Sequence, residues 1–257
     1  MQEKQFTVPE AQPFFHHGGE NGILLLHGFT GSAAHMRPLA EALAQAGVTV
    51  KTINLPGHAQ TPEKMTSVTA EDWLCAAREA VHDLRKMCSH VTVSGLSMGG
   101  VISLILAGEG EADRVIPISA PMPAKNPLLP VSGLLAPIVP KLNFGKDKAR
   151  IAALDQRYDL GYAVCPSVAA SQLHRIIQMG KQALPKVTCP LLCIQSHADQ
   201  AISPKSASNI LNGVSSKTRE MLWLEDVPHV CTISKEKNTI FQHILDFIVP
   251  KARKSAP

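Results

Sequence analysis

The sequence predicts an α/β fold: a mostly parallel central sheet flanked by helices, with one insertion after the strand at 114–119. Three observations predict it. Short apolar runs alternate with segments whose apolar residues recur at helical spacing, and that alternation implies parallel strands joined by right-handed crossovers. One such run, Val91-Thr-Val-Ser94, passes through Gly95-Leu-Ser97-Met-Gly99 directly into a second apolar run, so a serine stands at a sharp strand-to-helix turn. Between Ala120 and Leu191 the rhythm stops. Six prolines fall between Pro121 and Pro140, too many for a long helix.

In chain order, residues 12–16 are expected to form a short strand or hairpin arm, and the Gly18-Gly-Glu-Asn-Gly22 stretch a turn. Ile23-Leu-Leu-Leu26 is apolar throughout, as in a strand buried on both faces. Pro38 opens a first helix, Leu39, Leu43 and Ala46 mark its inner face, and Gly47 ends it. A strand follows over 48–53, then a loop beginning Leu55-Pro-Gly-His58. Trp73, Ala77, Ala80, Val81, Leu84 and Cys88 mark one face of a long helix before the serine-bearing strand. Past the helix at 101–107 and the strand at 114–119, residues 121–187 read as a cap, with a helix near 167–184. Residues 1–120 and 188–257 read as the core. The core resumes with a strand at 191–195 and a helix opened by Ser203-Pro204 and closed by Asn212-Gly213. A strand at 219–224 follows, then a last helix carrying Ile240, Phe241, Ile244, Leu245 and Ile248 inward.

Composition narrows the function classes. A net charge of +4, scattered except for Lys251-Ala-Arg-Lys254, leaves no footprint for nucleic acid. No apolar run is long enough to span a bilayer, and the first residues lack the basic-then-apolar pattern of a secretory signal. The six cysteines show no close pairing motif and read as reduced thiols packed like small hydrophobes, which points to the cytoplasm.

A serine hydroxyl is a weak nucleophile and needs a base, and the base needs a group to orient it. Asp199 follows the strand at 191–195 and His229 follows the strand at 219–224, so both fall at the sheet edge that carries Ser97. Ser97, Asp199 and His229 are therefore the expected catalytic residues, in the chain order of an α/β-hydrolase. His197 precedes the acid on the same loop and reads as a surface or supporting residue, and Asp226 sits too near His229 to orient its ring. His27 reads as a structural hydrogen-bonder. The backbone N–H groups of Met98 and of Phe29, in the His27-Gly-Phe turn, are the expected oxyanion-hole donors. No cofactor and no metal is called for by these residues.

With Gln12-Pro-Phe-Phe15, His27-Gly-Phe-Thr-Gly31, Met36-Arg-Pro-Leu-Ala-Glu41, Gly95-Leu-Ser-Met-Gly-Gly100 and His229, the chain resembles the bacterial monoacylglycerol lipase and carboxylesterase group of α/β-hydrolases. The likeness covers nearly everything except residues 124–186. It implies a small cap over the acyl site, a Ser-His-Asp triad, no cofactor, and oxyanion positions at Phe29 and Met98. Ala59 departs from the glycine often found after such a Pro-Gly-His segment. The expected function is hydrolysis of short- to medium-chain esters, including monoacylglycerols, through an acyl-enzyme. The expected partner is a small-molecule ester, with transient contact to a lipid surface through the cap. An acyltransferase or peptidase would use the same triad, and a catalytically silent binding protein would normally have lost part of it. Leu128, Leu129, Val131, Leu134, Leu135, Ile138 and Val139 are expected to find an apolar partner, either a bound acyl chain or the core.

Overall fold

The computed structural model describes residues 6–125, 129–143 and 153–249. Seven strands form one sheet in the order β1-β3-β2-β4-β5-β8-β9. They are β1 (Phe15–His16), β2 (Asn21–Leu26), β3 (Thr49–Ile53), β4 (His90–Leu96), β5 (Arg114–Ile118), β8 (Leu191–Ser196) and β9 (Arg219–Leu224). Only β1 runs antiparallel, on β3, and every other pairing is parallel. The early arm expected over 12–16 thus shrinks to two residues, because the chain before it folds into a short 3-10 turn at Pro9–Ala11.

Both faces of the inner strands are covered, which is why β2, β5 and β8 read as largely apolar runs. On β2, Leu24 and Leu26 enter one core layer and Ile23 and Leu25 the other, the two-residue alternation of a strand. The first layer lies under α2 (Ala70–Arg85) and α3 (Met98–Gly108), the second under α1 (Arg37–Gln45) and a C-terminal helix at Lys237–Ile248. Helix α2 starts at a capping box: Asp72 N–H donates to Thr69 Oγ1 at 3.2 Å and Thr69 N–H donates to Asp72 Oδ2 at 2.8 Å. Its inner face, Trp73, Ala77, Ala80, Val81 and Leu84, is buried as the spacing predicts, whereas Cys88 is buried beyond the helix, which ends at Arg85.

The excursion between β5 and β8 is not wholly irregular. It holds the short helix α4 (Ser132–Leu135) and a two-stranded antiparallel hairpin, β6 (Lys141–Asn143) with β7 (Val164–Pro166). It ends in the long helix α5 (Ser167–Ala183). The hairpin leaves no trace in the sequence because twenty residues separate its two short strands. Helix α5 packs on α3 so closely that a Cβ at Gly180 would lie 2.3 Å from Val101 Cγ1. The last core helices are α6 (Lys205–Gly213) and α7 (Lys237–Ile248).

The apolar stretch of the insertion departs from expectation. Leu129 is buried, but Leu134 is 83% and Ile138 80% exposed, with Val131 and Val139 exposed as well. Leu128 lies outside the described residues. The prolines break this segment into pieces too short to turn all their apolar side chains inward.

Candidate active site

Strand β4 is central and ends at Ser97, where the backbone is forced to φ +54° and ψ −114°. That conformation costs of order 1–3 kcal/mol and persists because the surroundings over-determine it. Ser97 N–H donates to Ile118 O at 2.8 Å, continuing the β5 ladder, while Ser97 O accepts from Val101 N–H at 3.1 Å and starts α3. The turn is too tight for side chains beside it. A Cβ on Gly95 would meet the Gly99 carbonyl at 2.3 Å, and one on Gly99 would meet Leu26 O at 2.5 Å. Met98, the first residue of α3, carries a backbone N–H that the helix itself does not use.

Asp199 follows β8 and His229 follows β9, and the structure joins them: His229 Nδ1–H donates to Asp199 Oδ2 at 2.7 Å. Asp199 Oδ1 accepts from Ala201 N–H at 2.8 Å and Ile202 N–H at 3.2 Å. Burial pushes the Asp199 carboxyl up, but His229 and the two backbone donors outweigh it and hold it below the usual carboxylate range. A fixed carboxylate on Nδ1–H selects the tautomer whose Nε2 is an unprotonated acceptor.

Ser97, His229, Gly28 and Phe29 line one cavity of about 330 Å³ at the C-terminal edge of the sheet. Leu129, Leu173 and Ile177 of the insertion, with Pro121 and Ala124, give the cavity an apolar lining, to which Lys125 adds one cation. Thr30, His35, Asp159 and Tyr162 make a more polar wall. His35 Nε2 lies 3.7 Å from Asp159 Oδ1, both side chains nearly buried. The sequence reading missed His35, Asp159 and Tyr162. They sit in a 3-10 turn and an irregular stretch, where no periodicity marks an inward residue.

The rival residues fall elsewhere. His197 stacks on Trp223 with ring centroids 4.2 Å apart, and Asp226 pairs with Lys235 at the surface. His27 is structural, as expected: its Nε2 accepts from Leu55 N–H at 3.0 Å, so its Nδ1–H donates to Gly28 O at 2.8 Å. Burial pushes His27 well below the ordinary imidazole range and brings His58, 4.8 Å away between ring centres, down to about 4. Ala59 beside it sits at φ +54°, a left-handed conformation that a glycine would hold without strain. Cys231, two residues past His229, is a buried thiol pushed up to about 12 by desolvation, so it packs as a neutral group. All six cysteines are free. Among the described residues no cluster of three or more His, Cys, Asp or Glu could hold a metal ion.

Residues 20–236 match the family model described as serine aminopeptidase S33, Hydrolase_4. The chain belongs to this hydrolase family. It is 33% identical over 256 residues to the thermostable monoacylglycerol lipase of Bacillus sp. (strain H-257), covering 98% of this chain and all of that one. It is 28% identical over 242 residues to a carboxylesterase of Bacillus subtilis (strain 168), covering 94% and 97% of the two chains. A solved structure from work on LipS and LipT, two metagenome-derived lipolytic enzymes, superposes with a TM-score of 0.87 at 35% identity, covering 94% of this chain and 98% of the other. A monoacylglycerol lipase of Paleococcus ferrophilus shares the fold at a TM-score of 0.78 and 17% identity, with 92% and 97% covered. This Hydrolase_4 member is a hydrolase of the esterase type, and the resemblance to bacterial monoacylglycerol lipases and carboxylesterases holds over nearly the whole chain.

Proposed function

We propose that Ser97, His229 and Asp199 act as nucleophile, general base and orienting acid in the hydrolysis of monoacylglycerol-like esters of short to medium chain length. The observation that carries this reading is the 2.7 Å His229–Asp199 bond beside a cavity that His229 shares with the strained Ser97. His229 Nε2 takes the Ser97 hydroxyl proton as Oγ attacks the ester carbonyl carbon. The oxyanion is met by the N–H groups of Phe29 and Met98. Collapse breaks the bond to the alcohol oxygen, which leaves with the proton from His229. Water, deprotonated by the same nitrogen, then releases the acid from Ser97.

A cavity of about 330 Å³ is at the small end for ligand sites and suits one modest acyl chain on a small alcohol rather than a triacylglycerol. The wall of Leu129, Leu173 and Ile177 suits the acyl group, and the wall of Thr30, His35 and Asp159 suits the alcohol hydroxyls. Residues 121–187 serve as the cap. Exposed Leu134 and Ile138 support transient contact with a lipid surface, where apolar side chains gain a partner. No helix among the described residues is long and apolar enough to cross a membrane. Six free cysteines favour action in the reducing cytoplasm.

Ser97→Ala tests the assignment. It is expected to fold normally, to lose turnover of a medium-chain monoacylglycerol by about a million-fold, and to lose labelling by a fluorophosphonate. Retained turnover, or a label on another residue, would reject Ser97 as nucleophile.

A further inference from the structure

The insertion grips the oxyanion loop through a chain of peptide groups. Tyr162 N–H donates to Thr30 O at 2.7 Å, and Thr30 C=O shares its peptide unit with Gly31 N–H. Gly31 N–H donates to Gly28 O at 3.0 Å, and Gly28 C=O shares its peptide unit with Phe29 N–H. In a planar trans peptide the C=O and N–H point in opposite directions, so holding the oxygen aims the hydrogen. Each bond in such a chain also polarises the next. Two peptide units therefore lie between the Tyr162 N–H and the Phe29 N–H.

The surroundings fix this chain at its outer end. The Tyr162 hydroxyl accepts from Gln60 N–H at 2.8 Å and donates to Gly57 O at 3.1 Å, and its ring meets Phe6 edge-on at 5.3 Å. Ser32 Oγ–H donates to Leu160 O at 2.8 Å, a second stitch between loop and insertion. At Gly161 the two backbones touch: a Cβ there would stand 2.8 Å from Thr30 O. Thr30 itself is held at φ +64°, which a β-branched residue adopts only under constraint.

We propose that Gly161 and Tyr162 are positioning residues for the oxyanion hole, aiming Phe29 N–H through the Thr30–Gly31 and Gly28–Phe29 peptide groups. The proposal rests on the oxyanion role assigned to Phe29 above. His27 Nδ1–H holds the same Gly28 oxygen at 2.8 Å from the core side, so the insertion supplies one of two anchors on that peptide, and moving residues 160–162 loosens the aim of the donor. A misplacement near 1 Å in such a site costs on the order of a hundredfold in rate.

The test compares Gly161→Ala, Tyr162→Phe and Ser32→Ala with the unaltered protein on a medium-chain monoacylglycerol. Two probes separate transition-state from ground-state binding: an alkyl trifluoromethyl ketone, which Ser97 converts to a tetrahedral oxyanion, and an inert 1-O-alkylglycerol ether. Gly161→Ala is expected to lower kcat about 30- to 100-fold and to weaken the ketone by a similar factor, with ether affinity within about twofold. Tyr162→Phe and Ser32→Ala are expected to follow the same pattern at about three- to tenfold, and they carry the test if Gly161→Ala does not fold. An unchanged kcat in the folded variants, or parallel loss of ketone and ether affinity, would overturn the proposal. Ser97→Ala runs alongside: if it keeps turnover or tight ketone binding, the triad reading fails, whereas its inactivity beside fully active Gly161→Ala sinks the peptide chain alone.

Discussion

The two halves of the cavity are built to different standards. The core half comes from strand ends locked by the sheet: Ser97 between β4 and α3, Asp199 with its carboxylate fully enclosed, His229 with its side chain 12% exposed. The insertion half joins a proline-broken stretch, which buries Leu129 but leaves Leu134 and Ile138 in water, to the long helix α5, which supplies Leu173 and Ile177. Chemistry needs atoms fixed within fractions of an ångström, which neighbouring strands supply, whereas recognition of an acyl chain needs only apolar area. The proposed reactive residues therefore stand on strand ends, while the stretch around Leu129 needs only to present apolar surface.

The largest effect that would test this contrast lies on the core side. Asp199→Asn keeps the shape but donates where a carboxylate accepted, favouring the wrong His229 tautomer. The expected loss in kcat is about ten-thousandfold with little change in KM, read by steady-state kinetics. A loss below tenfold would show that the acid does not orient the base.

A second prediction concerns how the core half is held at low pH. His58 is neutral in the fold with its value brought from 6.5 to about 4, so the unfolded chain binds the proton more readily between those limits. The stability it supports is complete above pH 6.5 and is lost as pH falls toward 4, about 3 kcal/mol over that window. Urea unfolding at pH 7, 6, 5 and 4 measures it, and His58→Gln is expected to make the dependence shallower, with the share of buried His27 remaining. An equal slope in the variant would place the acid sensitivity elsewhere.

Smaller effects are expected on the insertion side. Ile177→Ala opens the apolar wall, and each extra acyl methylene accommodated adds up to roughly 0.8 kcal/mol, about fourfold in kcat/KM. The optimum chain length on one alcohol is expected to rise by one to three carbons, and an unmoved optimum would take Ile177 out of the acyl wall. Leu134→Ser is expected to change stability by less than about 0.5 kcal/mol and to leave a soluble short-chain ester untouched, since the side chain is in water. Its effect is expected only in sedimentation with phospholipid vesicles, where binding falls a few-fold. Unaltered vesicle binding would remove Leu134 from the lipid contact.

The core was legible in the sequence because its physics is local. Ile23-Leu-Leu-Leu26 and Val91-Thr-Val carry the mark of strands buried on both faces, and Gly95 and Gly99 mark a turn too tight for a Cβ. Asp199 and His229 each stand just past a strand, so parallel topology alone brings them to one edge. The hairpin of β6 and β7 was not legible, nor was the burial of Phe6 beside Tyr162, since each depends on a distant partner rather than on its own residues.

By itself, the sequence determined the parallel sheet, the serine turn and the order of the three candidate residues, because hydrophobic period and glycine sterics act within a few residues. The tertiary structure alone decided which insertion residues reach the cavity and that Tyr162 N–H meets Thr30 O. That bond joins backbones 132 positions apart, and a backbone hydrogen bond depends on placement rather than on side-chain identity, so no residue type announces it.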